Sequence, residues 1–166
     1  MALTSEILVR AICTESVAGD LQTATAPLSL SKKIQMLTGT GTSQADLMFT
    51  DTRTLAASGT EDLDLKGSLL TPLGQAFTPA KLKAVIVSAA SGNTNDVQVT
   101  RPASNGVPLF LAAGDGLLVK PGGVFVWVGP PSGVTVTAAT GDLITVTNSS
   151  SGTSVTYDVV LIGTSA

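Results

Sequence analysis

The sequence predicts an all-β protein: an antiparallel β-sandwich or jelly roll with an extended or short-helical N-terminal arm. Three observations lead there. From Lys33 onward, short segments rich in Val, Ile, Thr and Leu recur at spacings of about 8–12 residues. Clusters of Gly, Pro, Asn, Asp and Ser separate them. Several segments are apolar on both faces, as in central strands whose outer face is also covered. The division expected is an arm over residues 1–30 and a β domain over 31–166.

Within the arm, Ser5–Ile12 reads two ways. A short helix would gather Ile7, Leu8, Ala11 and Ile12, and a strand would alternate Ile7, Val9 and Ala11 with Leu8, Arg10 and Ile12. The small-residue stretch Ala18–Pro27 reads as extended, either loose or packed on a neighbouring subunit.

In the domain, strands are expected at 33–38, 46–50, 63–65, 81–88, 96–101, 109–111, 116–120, 122–128, 133–137, 142–147 and 153–162. The breaks at Ser91–Asn95, Asn105-Gly106, Asp115-Gly116, Pro121–Gly123 and Pro130–Gly133 mark connections. Asn148–Gly152 is expected to be the loop of a hairpin joining the last two strands. A turn of helix near Pro79-Ala80 is the one other helical candidate. Alternation sets Leu143 and Thr145 against Ile144 and Val146. It likewise sets Tyr157, Val159 and Leu161 against Asp158, Val160 and Ile162, and Leu82, Ala84 and Ile86 against Lys83, Val85 and Val87.

Composition argues against catalysis. The 166 residues include no His, one Cys, one Trp and one Tyr, with 13% charged residues, a net charge of −3 and a mean hydropathy of +0.40. Without His there is no Ser-His-Asp triad and no His general base or metal ligand. One Cys makes no internal disulfide and no Cys-based zinc site. Scattered Lys and Arg with a negative balance suit neither a nucleic-acid backbone nor an anionic membrane. Apolar runs such as Ala84–Val87 and Val124–Val128 are far too short for a bilayer span of about 20 residues. The N-terminal residues carry no basic segment ahead of an apolar one. Synthesis in the cytoplasm without an export signal is therefore expected, which suits an unpaired Cys13. From Pro121 to Ala166 there is no Lys or Arg, which points to core and to surface packed against other protein.

The motifs weighed for chemistry are few. Glu61-Asp62-Leu63-Asp64, with Asp46 and Asp51, offers oxygen ligands for Ca²⁺. It lacks the spacing of an EF-hand loop, and a solvated edge strand explains it better. Phe125 and Trp127 share a strand face and suit a core or subunit interface better than a sugar platform. Gly114-Asp115-Gly116 and Pro121–Gly123 are not phosphate loops, because no Gly-Lys-Ser/Thr and no helix follows. Cys13, near Arg10 alone, reads as a small apolar residue. No catalytic, cofactor-binding or metal-ligating residue is assigned.

Two stretches carry a resemblance. One is Asp51–Leu65, DTRTLAASGTEDLDL. The other is Val119–Phe125, VKPGGVF, continued by Thr140–Leu143 and by Ser151–Gly163, SGTSVTYDVVLIG. Together they resemble small β-rich virion proteins from the head modules of tailed bacteriophages, over about Lys33 to the C-terminus. The resemblance implies a jelly-roll or sandwich protein without catalytic residues. It would decorate and cement the capsid surface as a trimer bound to the major capsid protein, with no nucleic-acid or membrane partner. The alternative is a tail or fibre module of the same fold that binds a host-surface glycan.

Overall fold

The order of strands follows the turn signals closely. The computed structural model describes residues 2–166, and among them there is no helix. The strands are β1 (Ser5–Ala18), β2 (Thr23–Thr38), β3 (Gln44–Ala45), β4 (Leu47–Leu55), β5 (Thr60–Asp64) and β6 (Lys81–Ala89). They continue with β7 (Val97–Thr100), β8 (Gly116–Val119), β9 (Val124–Val128), β10 (Val134–Thr135), β11 (Leu143–Asn148) and β12 (Val155–Thr164).

They form three sheets. β1 and β2 make a long antiparallel ribbon, with β3 adding a short parallel rung at its base. β4, β12 and β6 lie side by side, and β9 and β10 both pair with the far edge of β6. The remaining sheet has the order β5-β11-β7-β8, antiparallel throughout. The chain crosses from one of these larger sheets to the other after β4, β5, β6, β8, β10 and β11, so their inner faces share one core. Phe49, Val85, Val87, Tyr157, Val159 and Leu161 meet Leu63, Val97, Val99, Val119, Ile144 and Val146 there. The alternation expected for β11 and β12 is the one observed; in β6 it holds from Ala84 to Val87, but a bulge opposite Ile162 and Gly163 puts Leu82 in the main core with Val85 and Val87 rather than beside Ala84.

The outer face of the five-stranded sheet is covered at one end, as strands apolar on both sides require. Ala84 and Ile162 are buried beneath Ile7, Met36 and Ala45 from the foot of the hairpin, with Ile34, Ile86, Val128 and Val160 packed around them. Ribbon and body are thereby pinned at a second, smaller core.

Four expectations are corrected. The short helix over Ser5–Ile12 is absent, because these residues pair rung by rung with Ser29–Met36. β2 runs on through residue 30 to Thr38. No helical turn forms at Pro79-Ala80, whose backbone instead continues toward β6, with the Ala80 N–H donating to the Thr164 carbonyl at 2.7 Å. Asn148–Gly152 is not a hairpin loop: β11 pairs with β5 and β7, and β12 with β4 and β6, so the loop crosses between sheets. Leu109–Leu111 is likewise a turn rather than a strand. The Arg101 guanidinium donates to the carbonyls of Phe110 at 3.2 Å and Leu111 at 3.3 Å, and holds the turn closed.

Candidate interaction surface

The ribbon is the most unusual feature of the molecule. Its fourteen paired positions span about 45 Å at about 3.4 Å per residue. Opposed residues of an antiparallel pair point to the same side, so the register sorts the side chains into two faces. On one face Ile7, Val9, Ala11, Cys13 and Val17 lie across from Ile34, Lys32, Leu30, Leu28 and Ala24. On the other, Glu6, Arg10, Thr14 and Ser16 lie across from Gln35, Ser31, Pro27 and Thr25, with Leu8 and Ile12 among them. The first is an almost unbroken apolar strip. Its foot is buried on the body, but beyond Val9 the strip is bare: Leu28 is 61% exposed and Leu30 59%. Leu21 in the terminal turn stands fully in solvent. The polar face is tied near the foot, where the Lys33 ammonium lies 2.7 Å from the Glu6 carboxylate and Gln35 donates to the same group at 3.1 Å. The Lys33 hydrogen bond holds the Glu6 carboxyl below its ordinary pKa.

The outer face of the five-stranded sheet continues the same chemistry. Its register aligns Val128, Ala84, Ile162 and Met48 in one row, Val126, Ile86, Val160 and Thr50 in the next, and Val124, Ser88, Asp158 and Thr52 in a third. The hairpin foot covers the first row. In the others Val126 is 40% and Val124 58% exposed. β9 is also a sheet edge, so apolar side chains and free backbone groups lie together there.

Two polar devices hold the body rigid behind these surfaces. At the open end between the sheets, the Tyr157 hydroxyl on β12 donates to Glu61 Oε1 on β5 at 2.7 Å. Arg53 on β4 forms an ion pair with Glu61 Oε2, and its guanidinium lies 5.8 Å from the Phe49 ring centroid. Burial, with the Glu61 carboxylate beside it, raises the Tyr157 phenol far above its ordinary pKa. At the opposite edge of the sheet Lys83, 1% exposed, donates to the carbonyls of Pro130 and Pro131, each at 3.1 Å. Burial, and next the charge of Lys81, lower its pKa. Gly133 makes this possible: its φ is 63°, and a Cβ there would come within 2.3 Å of the Leu82 carbonyl. The sequence contained a signal for Lys83, since it alternates in phase with the buried Val85 and Val87.

An asparagine cluster ties the loops at the far end. Buried Asn148 donates to the carbonyls of Ala56 at 2.9 Å and Thr153 at 2.8 Å, and its Oδ1 accepts from Asn95 at 3.0 Å. Asn93 pairs reciprocally with the Thr156 backbone, donating at 2.8 Å and accepting at 2.9 Å.

The carboxylates weighed as cation ligands are dispersed by the fold. Asp62 accepts from Thr145 Oγ1 at 2.5 Å, Asp64 from the Lys66 N–H at 2.9 Å, and Asp46 from the Ser165 N–H at 2.8 Å. Among the described residues no three His, Cys, Asp or Glu side chains gather into a cation site. β5, which bears Glu61, Asp62 and Asp64, is an edge strand, where charge blocks unwanted pairing. Phe125 and Trp127 face inward, half-buried against the main core, and Phe125 stacks on Phe110 with centroids 6.1 Å apart. Cys13 is exposed in the middle of the apolar strip, on the face away from Arg10. What sequence reasoning missed is the strip itself, which exists only once β1 is paired with β2. Compared with protein-family models, curated proteins and solved structures, the chain matches none.

Proposed function

We propose that the protein is a non-enzymatic structural component of a tailed-bacteriophage virion, a decoration or cement protein that stabilises the head shell by binding the major capsid protein. The carrying observation is the rigidly anchored ribbon with its bare apolar strip. A two-stranded ribbon has no second layer of its own and is marginal in water, so it is a surface for other protein. The finer reading of the body is an eight-stranded jelly roll. The strand orders β9-β6-β12-β4 and β5-β11-β7-β8, with the alternation of the chain between sheets, support it. The shortage of charge on the outer face of the five-stranded sheet fits contact with protein rather than solvent.

The test is co-sedimentation of purified protein with head shells that lack it. Removing residues 1–30 is a poor perturbation, because it also removes Ile7 from the second core and leaves β2 unpaired. A better one replaces Ala11–Leu30 with Asn-Gly, which closes the ribbon as a short hairpin above its buried foot. Saturable binding by the full chain and its loss in the shortened one are expected. No binding by the full chain refutes the reading.

A further inference from the structure

We propose that β9 pairs antiparallel with β9 of a second copy of this chain, joining two five-stranded sheets edge to edge across a two-fold axis at Val126. The edge has backbone groups to offer. Among the described residues β9 pairs with β6 and with no other strand. On the β6 side the Ala89 N–H donates to the Gly123 carbonyl at 3.0 Å, and the Gly129 N–H to the Lys83 carbonyl at 2.8 Å. Alternate residues of an antiparallel strand turn their backbone groups to opposite sides. Gly123, Phe125, Trp127 and Gly129 therefore turn toward β6. The N–H and C=O of Val124, Val126 and Val128 turn outward.

The occupant follows from the strand's own sequence. Val124–Val128 is Val-Phe-Val-Trp-Val, which reads nearly the same in both directions. Laid antiparallel on its own copy about Val126, it sets Val126 against Val126, Val124 against Val128, and Phe125 against Trp127. No other register pairs the whole strand. Every outward-turned valine then meets another, the arrangement in which opposed residues exchange both hydrogen bonds, about six in all. The valines lie on the outer face, where Val124 and Val126 are exposed. The rings lie on the inner side, and the register makes two Phe–Trp cross-strand pairs. A shallow cleft lined by Leu117, Val119, Gly123 and Phe125 runs beside this edge, next to where the second copy's Trp127 arrives.

Charge agrees with this occupant. A two-fold contact brings each central side chain to its own counterpart, so a charge there would meet its like. β9 has none, nor has any residue from Pro121 to Gly141. The other edges are guarded: Asp51 and Arg53 lie on β4, Glu61, Asp62 and Asp64 on β5, and Asp115 and Lys120 flank β8. The paired strand is only about 17 Å long, so the contact belongs to the small, transient class, and association is expected in about the 10 µM to 1 mM range. It uses none of the ribbon's apolar strip, and it does not rest on the head-shell reading.

The test is sedimentation of the isolated full chain from about 10 µM to about 1 mM, where a monomer–dimer equilibrium is expected. Val126→Pro removes an N–H that β6 does not use, as an edge strand tolerates, and should weaken the dimer at least about 10-fold with circular dichroism unchanged. Val126→Thr keeps that N–H and should stay within about 3-fold of wild type. Val126→Lys and Val126→Glu should each be monomeric, because like charges meet, and an equimolar mixture of the two should dimerise. A site that faces its own copy gives that rescue. Trp127 is the sole tryptophan, so its fluorescence should shift with concentration in the wild type and not in Val126→Pro. A wild type that is monomeric at about 1 mM, or trimeric, overturns the proposal. So do folded Lys and Glu variants that fail to pair on mixing. Loss of head-shell binding in Val126→Pro, from a wild type that is monomeric alone, also overturns it, since the edge would then take a strand of the capsid protein.

Discussion

Replacing Tyr157 with Phe removes a single oxygen from the join between the two larger sheets, and the consequences can be worked out. The hydroxyl donates to an ionised carboxylate at 2.7 Å with the side chain fully buried. A hydrogen bond to a charged group contributes about 1.5–3 kcal/mol. Arg53 still holds Glu61 in the variant, so the loss should stay within that range. With an unfolding entropy of about 2.1 cal/mol/K per residue, it lowers the melting temperature by about 4–9 °C.

The pH dependence is sharper. The folded phenol has its pKa raised, whereas the unfolded chain ionises near the ordinary value of about 10. Above that pH the unfolded state binds fewer protons than the folded one, so the wild type loses stability as pH rises. The stabilisation is complete below pH 10 and is lost above it. Phe has no such dependence, so the gap between the two proteins should be constant from pH 7 to 9 and narrow by about 1.4 kcal/mol by pH 11. Urea melts at each pH measure this. Because Tyr157 is the sole tyrosine, tyrosinate absorbance reports its ionisation directly. A phenol that titrates near pH 10 in the folded protein, or a gap that does not narrow, would refute the account.

Two further outcomes follow from the other buried polar groups. Lys83→Met keeps the aliphatic stem but leaves the Pro130 and Pro131 carbonyls without their donor, so unfolding should cost about 1–3 kcal/mol less by urea melt. Lys83's lowered pKa means that wild-type stability rises as pH passes its folded pKa toward 10.5. The gap to Lys83→Met should therefore widen there, opposite in sign to the Tyr157 effect, and a gap independent of pH would contradict this. Asn148→Ala removes two donors and one acceptor at a buried position and should cost about 2–4 kcal/mol, with faster hydrogen exchange in residues 91–95 and 148–153. Loss of exchange protection at β8 instead would place the effect elsewhere.

The strands of the body were legible because burial imposes a two-residue period that survives in sequence. β11 alternates half-buried and buried residues throughout, and Val85 and Val87 are in phase with the core as expected. Pairing partners were less legible. The turn chemistry of Asn148–Gly152 says that the chain reverses, but not which sheet it joins. Asn148 decides this by tying the loop to Ala56 and Thr153. β4 extends past Thr50 because Asp51 and Arg53 occupy inward positions at the rim, where Glu61 and Tyr157 offer polar partners. The hairpin was hidden for a different reason. Ser5–Ile12 satisfies helical and extended periods alike, and Ala18–Pro27 reads as extended without naming a partner strand. A two-stranded ribbon leaves outward backbone groups free, so Pro27 sits across from Thr14 without ending the strand. The surface read from the missing Lys and Arg after Pro121 is partly the β9 edge and partly the main core.

The position of β12 has a consequence for the order in which the molecule can be built. It lies between β4 and β6, so that sheet has no middle until Val155–Thr164 has been synthesised. The β1–β2 ribbon is joined by a short turn and needs nothing beyond residue 38 to pair. Its foot, however, rests partly on Ile162. During synthesis the ribbon can form early, with its apolar strip free, while the seat for its foot arrives last. Long-range pairing of this kind folds slowly, so the nascent chain carries an adhesive strip for most of its growth. Correct assembly is then a race between completion of the body and premature contact among unfinished chains.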